Sequence, residues 1–508
     1  MISGIHHVTG ITADVQANVD FYVGFLGLKL VKRTAGYADA EQLHLIYGDG
    51  LGSPGTLLTF LVWEASGRGR TGIGQVLDVA LAVSPDAISG WLTRALAAGV
   101  PFEGPSREFG EPVLRFRDPD GLIVKLVGAD LPTPAPLPGG PTRLRGVTLL
   151  TDTPTQTASF LTRFGYRHAE MADQTQRMTS DTDVVDVRDA SGFVPSVAGA
   201  GVPDHVAFRA DSADEVRTLR QSLRDHGPTE VHDRKYFLSL YVRDPAGILL
   251  EYATDRPGMT IDEAPDALGR TLFFPPQEAG RAQDLEAMLP QFALPGEERF
   301  PVRKLPFVHR FNRPEQPDGT TLALLHGTGG NEADLMPLAR RIAPRATLLG
   351  ARGRATEEGI NRWFRRFDFK TFDQADIRSE AAAFAAFIEG AVAGYGLDAS
   401  RLTFLGYSNG ANFLAAVMQF YPNAVRRAVL LRCVQALDPT PAEDLSGTRV
   451  LMLDGRDDVY ARQAPTLADD LRARGAQVET RTIPGGHELT GADAIEAADW
   501  LGPGFPGA

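Results

Sequence analysis

Two stretches of this chain repeat each other, and the repeat constrains the fold more than any other feature of the sequence. LRFRDPDGLIVKLVGA (114–129) matches LYVRDPAGILLEYATD (240–255), and their Asp-Pro-x-Gly elements are 126 residues apart. Asp-Pro-x-Gly is typical of a type I turn, with Pro at the second position and Gly at the fourth. Apolar runs flank both turns, so each stretch is predicted to form two strands joined by a turn.

The sequence upstream of each turn repeats as well. VLDVALAVSPDAISGWLTRALAAGV (76–100) parallels PDHVAFRADSADEVRTLRQSLRDHG (203–227), and each predicts a strand followed by an amphipathic helix. Two further segments, beginning at residues 4 and 143, open similar units. Residues 1–256 are therefore predicted to contain four strand–helix–strands modules.

Composition divides the chain into blocks. A chain of 508 residues exceeds the size at which one core stops growing, so several domains are expected. LPTPAPLPGGP (131–141) is predicted to be a linker, because proline and glycine dominate it. Beyond residue 306, strand candidates alternate with helical stretches, which is typical of a parallel sheet covered by helices. We predict domains at 1–130, 142–256 and 307–508, with residues 257–306 as a second linker region.

Comparing the modules separates scaffold positions from candidate ligands. At one position of the opening strand the four modules carry, in chain order, His7, Asp78, Gly146 and His205. In the strand after the turn, Glu251 of the fourth module matches Lys125 of the second and Thr59 of the first, and the third module is too diverged to align. Because a scaffold requirement would recur in every module, we expect His7, His205 and Glu251 to form one shared site.

GIHHVTGI (4–11) places two histidines side by side in an apolar run. Alternation along a strand would turn His6 and His7 to opposite faces. Two imidazoles and one carboxylate form the facial triad typical of non-haem Fe(II) oxygenases, which keep open metal positions for substrate and O₂. A hydrogen-bonded core role stays the alternative for each histidine, but a carboxylate buried alone within GILLEYA would be costly.

Residues 1–256 resemble the ring-cleaving hydroquinone dioxygenase group of the vicinal-oxygen-chelate superfamily. The resemblance rests on GIHHVTGITADVQANVDFYVGFLGLKLVKRT, HLIYGDGLGSPGTLLTF, DRKYFLSLYVRDPAGILLEYATD and DALGRTLFFPPQ. It implies an α+β tandem of βαβββ modules that acts on an aromatic diol and O₂. It also implies Fe(II) on His7, His205 and Glu251, with Mn(II) as an alternative metal and no organic cofactor.

The same resemblance implies residues around the substrate. The implied substrate-binding residues are His6, Arg234, Tyr236 and Tyr241, and a structural role stays open for each. His44 in HLIYGD also matches a position of the group, where we expect it to support the site or to pack. The sequence departs from the group at Asp204, where a second adjacent histidine is common, and this leaves the substrate contacts on that side open.

Two other functions stay open for this half. A glyoxalase-type isomerase would need a fourth protein ligand, and Asp78 is the candidate at an equivalent position. A non-catalytic module that sequesters a hydrophobic ligand would need no set of metal ligands.

FLGYSNGAN (404–412) contains Gly-x-Ser-x-Gly between a predicted strand and a predicted helix. This context is typical of a nucleophile elbow, with Ser408 as the nucleophile. LALLHGTGGNEADL (322–335) is a strand that enters a glycine-rich loop, and such a loop can offer backbone N–H groups to an oxyanion. The candidate donors are the amides of Thr328 and Asn409.

An acid and a base follow the elbow in chain order. Asp458 in VLMLDGRDDVY fits the usual position of the acid better than Asp457 or Asp454 does. His487 in IPGGHELTG is the only histidine after the elbow. The order Ser, Asp, His is that of α/β-hydrolases.

The region from about residue 307 to 503 resembles small carboxylesterase/phospholipase-like α/β-hydrolases, in the subgroup associated with quinone stress. LLHGTGGNEADLMPLARRI, RWFRRFDFKTFDQADI and GYSNGANFLAAVM carry the resemblance. Both resemblances together imply a bifunctional enzyme, a ring-cleaving dioxygenase fused to a carboxylic ester hydrolase, in aromatic or quinone degradation.

Composition limits the partners. The formal net charge of −13 argues against nucleic acid and anionic membranes. With Cys433 as the single cysteine, no internal disulfide can form, and we expect a buried thiol in a cytoplasmic protein. We find neither a signal peptide nor an apolar run of membrane-spanning length. The expected partners are small molecules, namely an aromatic diol, an ester and O₂, and a homo-oligomer stays open.

Overall fold

The computed structural model describes residues 2–299, 304–368 and 371–502. The chain folds as two compact units. The first unit contains Met1–Gly280 and Phe292–Arg299, and the second contains Arg281–Gln291 and Phe300–Ala508. Among the described residues, no helix combines the length and the apolarity needed to cross a bilayer.

The first unit consists of four consecutive modules, each a strand, a helix and further strands. Its strands are β1 (Ile5–Thr12), β2 (Lys29–Ala35), β3 (Leu43–Gly48), β4 (Leu57–Val62), β5 (Gln75–Val83), β6 (Phe102–Glu108), β7 (Glu111–Arg117), β8 (Ile123–Gly128), β9 (Leu144–Thr151), β10 (Arg167–Ala172), β11 (Thr175–Thr179), β12 (Val184–Asp189), β13 (Pro203–Ala210), β14 (His232–Asp233), β15 (Phe237–Arg243), β16 (Leu249–Pro257) and β17 (Leu272–Phe273). Its helices are α1 (Val15–Val19), α2 (Ile88–Ala98), α3 (Pro154–Leu161) and α4 (Ala213–Ser222).

These strands form two sheets that combine the modules out of chain order. The first sheet has the order β14-β15-β16-β13-β1-β4-β3-β2-β17, so it joins the first module to the fourth. The second sheet has the order β10-β11-β12-β9-β5-β8-β7-β6, so it joins the second module to the third. The antiparallel pair β1–β13 brings the opening strands of modules one and four together.

Both Asp-Pro-x-Gly elements form the turn that the sequence predicts. The Gly121 amide donates to the Asp118 carbonyl at 3.0 Å between β7 and β8, and the Gly247 amide donates to the Asp244 carbonyl at 3.0 Å between β15 and β16. The aspartate side chains cap these turns, because a carboxylate oxygen of each accepts further backbone N–H groups.

The second unit is a mostly parallel sheet covered by helices. Its helices are α5 (Ala282–Met288), α6 (Met336–Ile342), α7 (Gln374–Tyr395), α8 (Asn409–Phe420), α9 (Ala464–Ala473) and α10 (Gly491–Leu501). Its strands are β18 (His309–Asn312), β19 (Thr321–Leu325), β20 (Thr347–Ala351), β21 (Ala355–Glu357), β22 (Ile360–Arg362), β23 (Leu402–Tyr407), β24 (Arg427–Leu431), β25 (Arg449–Gly455) and β26 (Gln477–Ile483).

The seven-stranded sheet of this unit has the order β18-β20-β19-β23-β24-β25-β26, and all neighbours except β18 and β20 are parallel. Strand β19 is buried throughout and apolar after Thr321, because helices cover both faces. Its alternate residues enter different cores: Ala323 and Leu325 pack with α7 and α8, whereas Leu322 and Leu324 pack with α6 and α10. Cys433 is buried, and burial raises the pKa of its thiol.

The region 257–306 is not the simple linker that its composition predicts. Strand β17 extends the first sheet by pairing with β2, and α5 packs against α6 in the second unit. Both elements are short and receive their partners from distant parts of the chain, so local composition gives no sign of them. Residues 300–303 of the predicted linker lie outside the described residues.

Candidate active sites

Three side chains converge on the inner strands of the first sheet. His7 on β1, His205 on β13 and Glu251 on β16 lie on adjacent strands. The Nε2 atoms of His7 and His205 lie 3.0 and 2.9 Å from Glu251 Oε2. Their ligand atoms all lie within 4.8 Å of one another, and no other such group occurs among the described residues.

Glu251 is fully buried, and among the described residues neither of its carboxylate oxygens accepts a hydrogen bond of standard geometry. Burial by itself would raise the pKa of Glu251, but the imidazoles of His7 and His205 hold it well below its usual range. A buried carboxylate is costly unless a cation neutralises it. The site therefore fits a metal ion bound through two nitrogens and one oxygen.

His6 and His7 do not face opposite sides of the strand, which corrects the expectation from strand alternation. A bulge shifts the β1–β13 register between Ile5 and His7. The two Nδ1 atoms lie 2.9 Å apart, and both rings pack on Phe237, with centroid distances of 5.1 and 5.4 Å. Burial, followed by the charge of His7, lowers the pKa of His6 well below its usual range. A neutral His6 can accept the Nδ1 proton of His7, which leaves His7 Nε2 free to bind a metal.

His205 is oriented from both ends of its ring. Its Nδ1 lies 2.7 Å from an Asp204 carboxylate oxygen, and its Nε2 lies 3.0 Å from the Thr9 hydroxyl. Burial lowers the pKa of His205, but Asp204 and Glu251 outweigh burial and raise it to about 9. The Asp204 carboxylate thus accepts a hydrogen bond from His205 Nδ1–H, and Nε2 points to the shared site.

Two of the predicted substrate residues lie beside this cluster. Tyr241 is the register partner of Glu251 on β15, and its ring lies 5.5 Å from that of His205. The Arg234 guanidinium lies 5.8 Å from the Tyr241 ring centre and 5.2 Å from that of Tyr37. An aromatic and cationic wall of this kind suits an electron-rich aromatic ring or an anionic oxygen.

Tyr236 is placed differently from the other predicted substrate residues. Its hydroxyl donates to Asp262 at 3.0 Å, and its ring lies under the Lys32 ammonium at 5.0 Å. The neighbouring Phe237 contacts the histidines instead. The sequence carries no clear signal for this role of Phe237, because the β15–β16 register shifts between Phe237 and Ser239 and strand alternation is interrupted there.

His44 belongs to the surroundings of the cluster. Its Nε2 atom is buried and has no hydrogen-bond partner within the described part of the chain. Burial, followed by the charges of His7 and His205, lowers the pKa of His44 to about 3, so its imidazole is neutral. Tyr37, which sequence reasoning missed, likewise has a buried hydroxyl for which the described residues offer no hydrogen-bond partner.

The second sheet fills the equivalent positions with ion pairs. Asp78 lies 3.1 Å from the Lys125 ammonium, which also contacts Glu108 at 3.1 Å. The register places Asp186 of the diverged third module opposite Thr148, as Glu251 stands opposite Ala207. Asp186 in turn lies 2.8 Å from Arg177 Nε, so these buried carboxylates pair with cationic side chains of the same sheet. Asp78 does not join the His7 cluster, so the fourth ligand that an isomerase would need is not supplied there.

The backbone of the Gly-x-Ser-x-Gly segment in the second unit is strained at its serine. Ser408 has φ 50° and ψ −116°, and it directly precedes α8. A Cβ atom on Gly406 would lie 2.8 Å from Ala411 Cα, and one on Gly410 would lie 2.3 Å from the Leu325 carbonyl oxygen. Side chains at these two positions would collide with backbone, so glycine is required on both sides of Ser408.

The structure brings Ser408, His487 and Asp458 into one hydrogen-bonded row. His487 Nε2 lies 2.9 Å from Ser408 Oγ, and His487 Nδ1 lies 2.8 Å from Asp458 Oδ2. Asp458 is buried, whereas Asp457 is exposed. Burial raises the pKa of Asp454 to about 6, and His487 makes no described contact with that residue.

The two candidate oxyanion donors lie on the elements that the sequence predicts. Thr328 is exposed in the loop after β19, and Asn409 is the first residue of α8, where backbone N–H groups have no partner within the helix. The Asn409 side chain accepts the Trp363 amide at 2.9 Å, and the Gly329 amide donates to the Asn361 carbonyl at 2.9 Å. These bonds fix both the loop and the helix start.

Known proteins are similar in sequence to the first unit. A sequence model of the Glyoxalase/Bleomycin resistance protein/Dioxygenase superfamily matches residues 4–126 and 143–252. The protein named "Putative ring-cleaving dioxygenase MhqE" of Bacillus subtilis (strain 168) is 35% identical over 259 residues, which are 49% of this chain and 85% of that protein. The chain belongs to this superfamily through its first half, and that half is a tandem of vicinal-oxygen-chelate modules.

The second unit has different relatives. The protein named "Putative hydrolase MhqD" of Bacillus subtilis (strain 168) is 35% identical over 181 residues, which are 35% of this chain and 90% of that protein. A carboxylesterase structure from Mesorhizobium loti is 45% identical and covers 40% of this chain and 98% of its own, with a TM-score of 0.39. The sequence relatives of its two halves together support an enzyme with an oxidoreductase part and a hydrolase part.

Proposed function

We propose that this chain is a bifunctional enzyme. Its first unit acts as an Fe(II)-dependent ring-cleaving dioxygenase on hydroquinone- or catechol-type aromatics, and its second unit acts as a serine carboxylesterase. The observation that carries the first activity is the buried cluster of His7, His205 and Glu251. The second rests on the hydrogen-bonded row from Ser408 through His487 to Asp458.

The donor set favours iron in the first unit. Two imidazole nitrogens and one carboxylate are the donor set typical of non-haem Fe(II) oxygenases, and Mn(II) tolerates similar ligands. When bound, the metal would supply open coordination positions and the one-electron chemistry with O₂ that side chains lack. His6 and Asp204 would each accept a hydrogen bond from Nδ1–H of the adjacent metal-binding imidazole.

The remaining residues of this site would bind and orient the diol. The Arg234 guanidinium would favour the deprotonated form of an aromatic hydroxyl, because a cation stabilises an anionic oxygen. The ring of Tyr241 would pack against the substrate beside His205. Phe237 would exclude water from the two histidines that it covers.

The hydrolase chemistry follows from the geometry around Ser408. Its Oγ would attack the acyl carbon while His487 Nε2 takes the hydroxyl proton and then delivers it to the leaving alcohol. Asp458 would orient the imidazole through Nδ1–H, and the amides of Thr328 and Asn409 would stabilise the oxyanion. Water, deprotonated by the same imidazole, would release the acid and restore Ser408.

Metal analysis tests the first activity. The alanine variants of His7, His205 and Glu251 should lose iron and oxygen uptake with hydroquinones or catechols, because each removes one of three ligands. Asp78→Asn, at the equivalent position of the second sheet, is the matched control and should keep both. Full iron retention in all three alanine variants would contradict the assignment.

Covalent labelling tests the second activity. Ser408→Ala should abolish fluorophosphonate labelling and lower the turnover of short aryl esters by about 10⁴-fold or more. Asp458→Asn should be severe as well, because the imidazole loses its orienting carboxylate. Asp457→Asn is the neighbouring control and should have little effect, since that side chain is exposed. Labelling that persists in Ser408→Ala would place the nucleophile elsewhere.

A further inference from the structure

Arg432 is a buried arginine at the first position after β24, close to the backbone of the nucleophile. The Ser408 amide donates to the Leu431 carbonyl at 2.9 Å, and the Arg432 amide donates to the Leu453 carbonyl at 2.9 Å. Arg432 has φ 53°, in the left-handed region that few non-glycine residues adopt. The backbone is thus turned at this point so that the arginine side chain enters the interior.

The Arg432 guanidinium and the Asp493 carboxylate form a bidentate ion pair. Nη1 lies 2.5 Å from Oδ1 and Nη2 lies 3.1 Å from Oδ2, and both side chains are 0% exposed. Dehydration of such a pair can cost as much as the attraction returns, so burial alone does not explain why a chain would keep it. The other N–H groups of the arginine indicate what the pair does.

Those N–H groups hold the backbone on both sides of His487. Arg432 Nε donates to the Gly486 carbonyl at 3.0 Å, and Nη2 donates to the Glu488 carbonyl at 3.0 Å. The carbonyl of His487 itself accepts from the Tyr407 hydroxyl at 3.0 Å. Three consecutive carbonyls of this loop are therefore bound by side chains that follow or end the central strands.

The loop needs such support because its own sequence restrains it weakly. Gly485, with φ 114°, and Gly486 precede His487 and contribute no side chain. At the other end of the loop, Asp493 accepts the Thr490 amide at 2.7 Å and so joins the loop to the first turn of α10. The ion pair thus connects the helix start, the loop and the end of β24.

We propose that Arg432, held by Asp493, is a positioning residue that presents His487 to Ser408. This inference rests on the proposed esterase function. Arginine suits the task because its planar fork can bind a carboxylate and two carbonyls at once, whereas the single ammonium of lysine cannot span them. The pair touches neither substrate nor reacting atoms, so it acts on catalysis only through the place of His487.

Two variants of the full chain test the proposal. Arg432→Lys keeps the charge but loses the fork. The double variant Arg432→Met/Asp493→Asn removes both charges together, so neither is left buried and unpaired, and its amide oxygen can still accept from Thr490. Since a displacement of about 1 Å can cost about 100-fold in rate, kcat for a short aryl ester should fall about 10- to 100-fold. KM should stay near its original value, and fluorophosphonate labelling of Ser408 should slow with kcat.

Arg474→Lys is the matched control. Arg474 also binds a carboxylate, that of Asp470, and a backbone carbonyl, that of Pro441, yet none of its described contacts is with the triad. Its variant should keep kcat. A folded Arg432 variant with unchanged kcat, or a lysine variant that does not fold at all, would overturn the positioning role. If instead the unmodified chain hydrolyses no ester and Ser408 is not labelled, the proposed esterase function itself fails.

Discussion

At the scale of single residues, Asp204 makes the sharpest test of the metal site. Its carboxylate accepts from His205 Nδ1, and carboxylates in this position orient a metal-binding imidazole and raise its basicity. Asp204→Asn keeps an acceptor oxygen but removes the charge. We expect metal affinity to fall about 10- to 100-fold, measured by competition with a coloured chelator.

Asp189→Asn controls for the loss of a carboxylate from the same unit, because Asp189 bonds only to Ser191 among its described side-chain contacts. That variant should bind metal as the unmodified chain does. An Asp204→Asn variant with unchanged affinity would show that the Asp204 carboxylate does not support the metal-binding imidazole of His205.

The sequence repeat is sufficient to predict His7, His205 and Glu251 as one set, because equivalent positions in the modules act as internal controls. Strand alternation gives the wrong orientation for His6, because it assumes a regular strand and β1 contains a bulge. The contacts of Phe237 and Asp204 depend on rotamers and register, which residue types alone do not determine. The Ser408, Asp458 and His487 set was predictable because the motif, the chain order and the flanking elements all agree.

At the scale of elements, the chain passes between the two units three times, at residues 280, 291 and 299. Helix α5 packs on α6 and places Leu285 and Met288 in buried positions, although its sequence lies within the predicted linker. We therefore expect overlapping fragments, 1–299 and 281–508, to fold and act, because each contains one complete unit. The fragment 301–508 lacks α5 and should unfold at a lower temperature than 281–508.

Thermal unfolding of 281–508 and 301–508 measures the contribution of α5. Leu285→Ala in the longer fragment is the internal control. It should lower stability by about 2–5 kcal/mol, the usual cost of a large-to-small change in a core. Equal unfolding temperatures for the two fragments would show that α5 adds nothing to the hydrolase. A fragment 1–299 without oxygen uptake would show that the first unit needs the second.

At the scale of the whole molecule, each candidate site lies entirely within one unit. His7, His205 and Glu251 belong to the first unit, and Ser408 and His487 belong to the second. Because no residue is shared, a strong chelator should abolish oxygen uptake and leave aryl ester hydrolysis unchanged. A fluorophosphonate should do the reverse in the same preparation. Restoring Fe(II) after chelation should return oxygen uptake in full. The same recovery is expected in protein that carries the fluorophosphonate label. Loss of both activities with either reagent would mean that the two sites depend on each other. The two units would then not be independent enzymes.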